Sequence, residues 1–198
     1  MKRILLLSAM ALALAACGPL PVTVDLLPAL KDAGLDRMTF DEPLDVPANT
    51  DLEGIGELSL DLPGPDGFTV RFPAPDLPAS PASLVLDFKA RVDYAFACVS
   101  GLGGTLQATG YLAHEPPPWD APLNGLAAEV ELEPSGSFVL EGRAELDRDQ
   151  INAILSGQAT LGVRIELEGL TGQTGEDCTP AVSGSYEIER AVIEARFL

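Results

Sequence analysis

Few side chains in this sequence could carry nucleophilic or acid–base chemistry. The 198 residues include one histidine, His114, which precedes Glu115 and three consecutive prolines. Such a pattern is typical of a strand that ends in a stiff surface loop. A serine triad would have to use His114, and neither a Gly-x-Ser-x-Gly elbow nor a His-Glu-x-x-His motif is present. We therefore assign no catalytic residue and expect a protein that is not an enzyme.

The charge balance excludes one class of partner. The chain has 30 Asp+Glu against 12 Lys+Arg, for a formal net charge of −18. Binding to a phosphate backbone requires a cluster of basic residues, so we expect no nucleic-acid partner.

Acidic residues and cysteines also raise the question of metal ions. The segment 49–54 resembles the first half of a helix–loop–helix calcium loop, but Leu60 occupies the twelfth position, where a bidentate Glu is needed. No Cys-x-x-Cys spacing is present and only one histidine could join a site. We assign no metal and no cofactor. A calcium site built from separate loops stays open as an alternative, with the candidates Asp45, Asp51, Glu53, Glu176 and Asp177.

Two of the three cysteines lie where a disulfide could form. Cys98 ends a long predicted strand, and Cys178 lies in a loop before the last predicted strand. A bond between them would close a loop of about 80 residues, worth ~4–5 kcal/mol by chain entropy before strain. We predict this structural disulfide over a redox or metal pair.

Trp119 is the single tryptophan and directly follows the three prolines. An exposed aromatic side chain on a stiff loop can serve as a binding anchor. The competing interpretation is a tryptophan folded over the end of the core. Both interpretations are kept for Trp119.

The first segment has the features of an export signal. Lys2 and Arg3 precede an apolar run over 4–13, and small residues follow. A membrane span needs ~20 apolar residues, so this pattern predicts a signal peptide over 1–16.

The end of that signal, Leu14-Ala15-Ala16-Cys17, resembles the lipobox of bacterial lipoproteins. The resemblance implies cleavage before Cys17, a diacylglycerol on its sulfur, and acyl chains such as palmitate that hold the protein in a bilayer of the cell envelope. Two or three acyl chains anchor a protein durably, whereas one does not. Loss of Lys2 and Arg3 leaves 10 basic and 30 acidic residues, a net charge of −20. The alternative is a soluble secreted protein whose ordinary signal ends in the same letters.

Beyond residue 56 the hydrophobic pattern has period two, the mark of strands with one buried face. The clearest alternation runs from Leu84 to Phe96. A change of phase near 189–190 predicts a bulge or a change of sheet, and the turn-like segment 101–104 is expected to end the long strand. Asp147 and Gln150 predict a capped short helix. We predict an all-β fold: an antiparallel β-sandwich or half-open barrel of about eight strands with one or two short helices.

These patterns divide the chain into three parts and suggest three functions. Residues 1–16 are the signal peptide, 17–55 the lipidated N-terminus with a tether and irregular segment, and 56–198 the β domain. We expect a non-enzymatic lipoprotein, lipid-anchored on the outer membrane, its periplasmic side or the cell surface, that acts as a structural or protein-interaction module. Its partners would be the bilayer, through acylated Cys17, and an unidentified envelope protein. The alternative is a carrier of a lipid or other apolar ligand, and the third hypothesis is a hydrolase of unknown type.

Overall fold

Alternating apolar and polar residues form long strands, which assemble into two antiparallel sheets. The computed structural model describes residues 21–56, 58–62, 68–71 and 81–197. Sheet A comprises β1 (Val22–Asp25), β2 (Arg37–Pro43), β5 (Ser83–Ala97), β8 (Ser135–Glu145) and β10 (Ala181–Arg196). Sheet B comprises β3 (Leu58–Leu62), β4 (Phe68–Arg71), β6 (Val99–Ala113), β7 (Pro122–Glu131) and β9 (Gln158–Thr174). Two helices, α1 (Leu27–Asp32) and α2 (Arg148–Leu155), and a 3-10 turn (Leu52–Gly54) accompany them.

The two sheets face each other across an apolar core, so the predicted antiparallel β-sandwich is confirmed. Sheet A has the order β1-β10-β5-β8, with β2 also paired to β10. Sheet B has the order β3-β9-β6-β7, with β4 also paired to β9. Along β5 every second residue from Leu84 to Tyr94 is buried, as the alternation predicts.

The chain passes from sheet A to sheet B at Cys98, between β5 and β6. Cys98 has φ of 60°, a left-handed conformation that lets the strand change sheets over one residue. The turn predicted at 101–104 is wrong, because these residues lie inside β6. They form irregularities against β9, with register shifts on both sides of Gly103 and φ of 138° at Gly104. Glycines serve bulges and turns for the same reason, so the sequence pattern is ambiguous between them.

Two local predictions are confirmed. The register of β10 against β5 shifts between Ile188 and Arg190, which is the predicted bulge. Helix α2 begins at a capping box, in which the Asp147 side chain accepts from Gln150 N (2.9 Å) and the Gln150 side chain accepts from Asp147 N (3.0 Å).

The described part of segment 17–55 also contributes to the sandwich. Val22 of β1 pairs with Ala195, and β2 lies along the other half of β10. Among the described residues, the first strand of the sandwich is therefore β1, which begins at Val22. Strands of only four and seven residues carry too little alternation to be recognised in the sequence, and their pairing with β10 places them in sheet A. Within the described residues, neither helix has the length and apolar composition to cross a membrane.

Candidate functional site

Trp119 lies in the loop 114–121, which connects β6 to β7 and folds back over the outer face of sheet B. Its ring is half-buried and packs on the backbone of Gly162 in β9, where any Cβ atom would overlap it. The Tyr111 ring meets the Trp119 ring edge-on, with centroids 5.4 Å apart and planes at 78°. Such an edge-to-face pair is worth ~0.5–1.5 kcal/mol beyond the buried area. Trp119 is thus neither fully exposed on its loop nor folded over the end of the core, but lies against the outer face of sheet B.

Arg164 joins the two aromatic rings to a carboxylate. Its guanidinium carbon lies 4.9 Å from the Trp119 ring centroid and 5.8 Å from that of Tyr111. The same group donates two hydrogen bonds to Asp61 of β3, at 2.6 and 3.0 Å. Pairing with Asp61 is possible because Asp61 and Arg164 are register partners in β3 and β9. We refer to Asp61, Tyr111, Trp119, Gly162 and Arg164 as the Trp119 cluster.

The environment of the cluster shifts two pKa values. The hydrogen bond from Arg164 to Asp61 raises the pKa of the Arg164 guanidinium, so this group stays protonated. Partial burial raises the pKa of the Tyr111 hydroxyl above its ordinary value, against the opposing effect of Arg164. Tyr111 is therefore a neutral phenol at physiological pH. The cluster is an aromatic and ion-paired surface on the outer face of sheet B.

Alanine in place of Gly162 is expected to displace Trp119 from sheet B. The new methyl group would overlap the Trp119 ring, and overpacking of this kind costs roughly 1–3 kcal/mol. The fluorescence of Trp119, the only tryptophan, should shift to longer wavelength as its ring becomes exposed. Gly54→Ala is the matched control, because a Cβ atom at Gly54 meets nothing within 4 Å. An unchanged emission spectrum in Gly162→Ala would contradict the packing described.

The rest of the outer face of sheet B is acidic. Register pairs Gln107 of β6 with both Glu129 and Glu166, and Thr105 with both Glu131 and Glu168. Four carboxylates on β7 and β9 therefore face outward on either side of β6. No group of three His, Cys, Asp or Glu side chains among the described residues is arranged to hold a metal ion. The residues covered include the loop acids named as possible calcium ligands: Asp45, Asp51, Glu53, Glu176 and Asp177.

Sheet A, by contrast, carries interleaved charges on its outer face. The guanidinium of Arg190 bridges Asp87 (2.7 Å) and Glu141 (2.8 Å), and Lys89 lies 2.8 Å from Glu189 at the bulge. The hydrogen bond with Lys89 lowers the pKa of the Glu189 carboxyl. Single exposed pairs contribute ~0–1 kcal/mol, so their main effect is to neutralise this face. The two outer faces of the sandwich therefore differ in charge.

The predicted disulfide is present. Cys98 and Cys178 are bonded, with Cα atoms 5.9 Å apart and a sequence separation of 80. The bond joins the β5–β6 crossing to the loop between β9 and β10, so it links two of the places where the chain passes between the sheets at this end. Beside it, Gly175 N donates to Cys98 O at 2.8 Å.

Thr174 fastens a neighbouring loop at the same end. Its hydroxyl donates to Pro47 O (2.9 Å) and accepts from Thr50 N (2.8 Å). Asn49 adds a side-chain hydrogen bond from Gln173 at 3.1 Å. We call this the disulfide end of the sandwich.

Two apolar spaces between the sheets are bordered by described residues, and both are small. One, near the middle of β5, has a volume of about 40 Å³, and its lining includes Phe88, Val92, Leu126 and Tyr186. A second, of about 20 Å³, lies between α1 and α2. Ligand sites usually measure ~300–1,000 Å³. Neither space could accommodate an apolar ligand without movement of the sheets.

The remaining predicted site residues are placed as follows. Cys17 and the signal peptide 1–16 lie outside the described residues. His114 is exposed in the loop 114–121. Arg164, Asp61, Tyr111 and Gly162 were not predicted as site residues; the alternation in β3 and β9 places Asp61 and Arg164 on outward positions, but nothing local indicates that they pair.

Comparison with known proteins gives structural neighbours only. No family model matches the chain, and no curated protein sequence matches it. A solved structure of deformed wing virus carrying the GFP gene is 12% identical over 78% of this chain and 44% of its own, with a TM-score of 0.33. Infectious bursal disease virus, Gx strain, gives 14% identity over 90% of this chain and 36% of its own, and sacbrood virus of honeybee in expansion state II gives 11% over 89% and 84%, both with TM-scores of 0.33. The chain spans less than half the length of the first of these.

Proposed function

We propose that the protein is a non-enzymatic lipoprotein of a bacterial cell envelope, anchored by acylated Cys17, whose sandwich acts as a structural or protein-interaction module. The observation that carries this proposal is the pairing of cysteines. Of three cysteines in the chain, Cys98 and Cys178 are bonded to each other, which leaves Cys17 as the odd one. Cys17 is also the residue that follows the lipobox-like Leu14-Ala15-Ala16. Lipidation accounts for a thiol that would otherwise be spare in an oxidising compartment.

The surface of the sandwich supports a module with polar contacts. Among the described side chains, Val139 is the large hydrophobic residue that is exposed, at 38%. An obligate interface would need a contiguous apolar patch. The charged and aromatic groups of the Trp119 cluster and the acidic part of sheet B are therefore the features that a partner would contact, with Trp119 as an anchor. A carrier of apolar ligands is less well supported, because the spaces between the sheets are far smaller than a ligand site.

Cys17→Ser is expected to release the protein from the membrane fraction. Mass spectrometry of the membrane-bound protein should show a chain that begins at Cys17 and carries two or three acyl groups. Because those chains supply the membrane affinity, the Ser variant should appear in the soluble fraction.

Cys178→Ser is the matched control, since it removes a thiol that the proposal does not use for anchoring. This variant should stay in the membrane fraction. An unmodified Cys17 in a soluble wild-type protein would contradict the proposal.

A further inference from the structure

Four residues, 18–21, separate the proposed lipid anchor at Cys17 from β1, which begins at one end of the sandwich. Val22 pairs with Ala195 near the end of β10, and Ala195 pairs in turn with Leu84 at the start of β5. Residues before Val22 therefore leave the sandwich beyond this end.

Helix α2 and the loop 114–121 lie at the same end of the sandwich, next to sheet B. Helix α2 connects the end of β8 to the start of β9, and Gln150 Nε2 donates to Ala121 O (3.3 Å) and Pro122 O (3.4 Å). Leu26, before α1, and Ile154 of α2 border one small apolar space with Leu112 of β6. We call this the anchor end, and it lies opposite the disulfide end.

The length of the connecting chain limits where the anchor end can lie. The five Cα–Cα steps from Cys17 to Val22 span at most ~17 Å when the chain is fully extended. Strand β5, with 15 residues, extends the sandwich over about 45 Å. The anchor end is thus confined close to the bilayer, whereas the disulfide end reaches the lipid surface only if the sandwich lies on its side.

Charge opposes that sideways position. With a net charge of −20 the mature chain is repelled by anionic head groups, and the acidic face of sheet B has four outward carboxylates, Glu129, Glu131, Glu166 and Glu168. An upright sandwich keeps the acidic outer face of sheet B away from the lipid.

We infer that the anchor end is a bilayer-facing surface, held upright against the lipid head groups by the short connection to acylated Cys17, with the disulfide end directed away from the membrane. This inference rests on the proposed lipidation of Cys17. It places the loop 114–121 on the membrane side and Trp119 in the half of sheet B nearer the membrane. The outer face of sheet B and the loops held by Thr174 and the disulfide stay accessible to an envelope partner.

Trp119, as the only tryptophan, can report this orientation by energy transfer to dansyl-labelled phosphatidylethanolamine. The full-length acylated protein is placed in vesicles of phosphatidylethanolamine and phosphatidylglycerol, and transfer is measured relative to unlabelled vesicles. The matched variant, Trp119→Phe with Glu133→Trp, moves the reporter to an exposed turn between β7 and β8 at the disulfide end. From Gly162, where Trp119 packs, to Thr174 at the other end is roughly 35–40 Å along β9, so transfer should fall at least about threefold in this variant.

A second variant keeps Trp119 and lengthens the connection. About 20 Gly/Ser residues inserted between Gly18 and Pro19 add a mean end-to-end distance of ~25 Å and should lower transfer from Trp119. It tests the inference even if the Trp119→Phe variant fails to fold.

The outcomes separate the inference from the proposed function. If mass spectrometry shows Cys17 without acyl groups, both are overturned. If Cys17 is acylated and the protein is bound, but the reporter at residue 133 transfers as strongly as Trp119, the upright orientation is wrong while anchoring stands. Unchanged transfer after the insertion would show that the short connection does not hold the anchor end at the lipid.

Discussion

Reduction of the Cys98–Cys178 disulfide is expected to lower the free energy of unfolding by about 4–5 kcal/mol, the chain entropy of an 80-residue loop. For a chain of this size the corresponding fall in Tm is roughly 10–15 °C. The bond links two of the passages between the sheets, the β5–β6 crossing and the β9–β10 loop, and its loss raises the conformational entropy of the unfolded chain. Chemical denaturation and thermal melts with and without reductant would measure the change.

The double variant Cys98→Ser/Cys178→Ser supplies the control. It should unfold at the midpoint of the reduced wild type and should not respond to reductant. Cys98→Ser retains a small side chain at the left-handed position with φ of 60°, so backbone strain there is matched. Equal midpoints for oxidised and reduced wild type would rule out a stabilising role for the bond.

Gly142→Ala is expected to be the most destabilising of the single substitutions considered for the glycines, at the upper end of about 1–3 kcal/mol for overpacking. A Cβ atom at Gly142 in β8 would overlap the carbonyl oxygen of Gly125 in β7. These strands belong to different sheets, and their backbones approach closely where one side of the sandwich closes. The obstacle is backbone rather than a flexible side chain, so relief requires movement of a strand. Denaturant unfolding would give the free energy difference.

Gly56→Ala is the matched control for this effect. A Cβ atom at Gly56 meets nothing within 4 Å and its backbone is not left-handed, so the change should alter stability little or raise it by ~0.4–1 kcal/mol. If Gly142→Ala and Gly56→Ala gave equal stabilities, the close approach of β7 and β8 would be refuted.

The predictions that succeeded depend on patterns within a few residues of the chain. The alternation from Leu84 to Tyr94 requires one buried face, and the change of phase at residues 189–190 requires an extra residue in the ladder. The capping box of Asp147 and Gln150 is likewise local, since its two hydrogen bonds lie within one turn. In each case the residues that form the pattern are also the residues that make the contact.

The features that were missed depend on which distant strands become neighbours. Asp61 and Arg164 are 103 residues apart and meet only because β3 pairs with β9 in one register. Gly162 lies under Trp119 only because the loop 114–121 folds back over sheet B. Strands β1 and β2 are ordered by β10, far along the chain. No sequence pattern near any of these residues indicates which distant residue it will contact.

By itself, the sequence determined the all-β class, the acidic character, the cysteine pair and the expectation of a lipid anchor at Cys17, because periodicity, composition and short motifs are properties of neighbouring residues. Only the tertiary structure decided the division into two sheets, the glycine contact that closes one side, the Trp119 cluster, and the end at which the chain enters. Those features follow from the packing of strands that are distant in sequence, where register selects the side chains that meet.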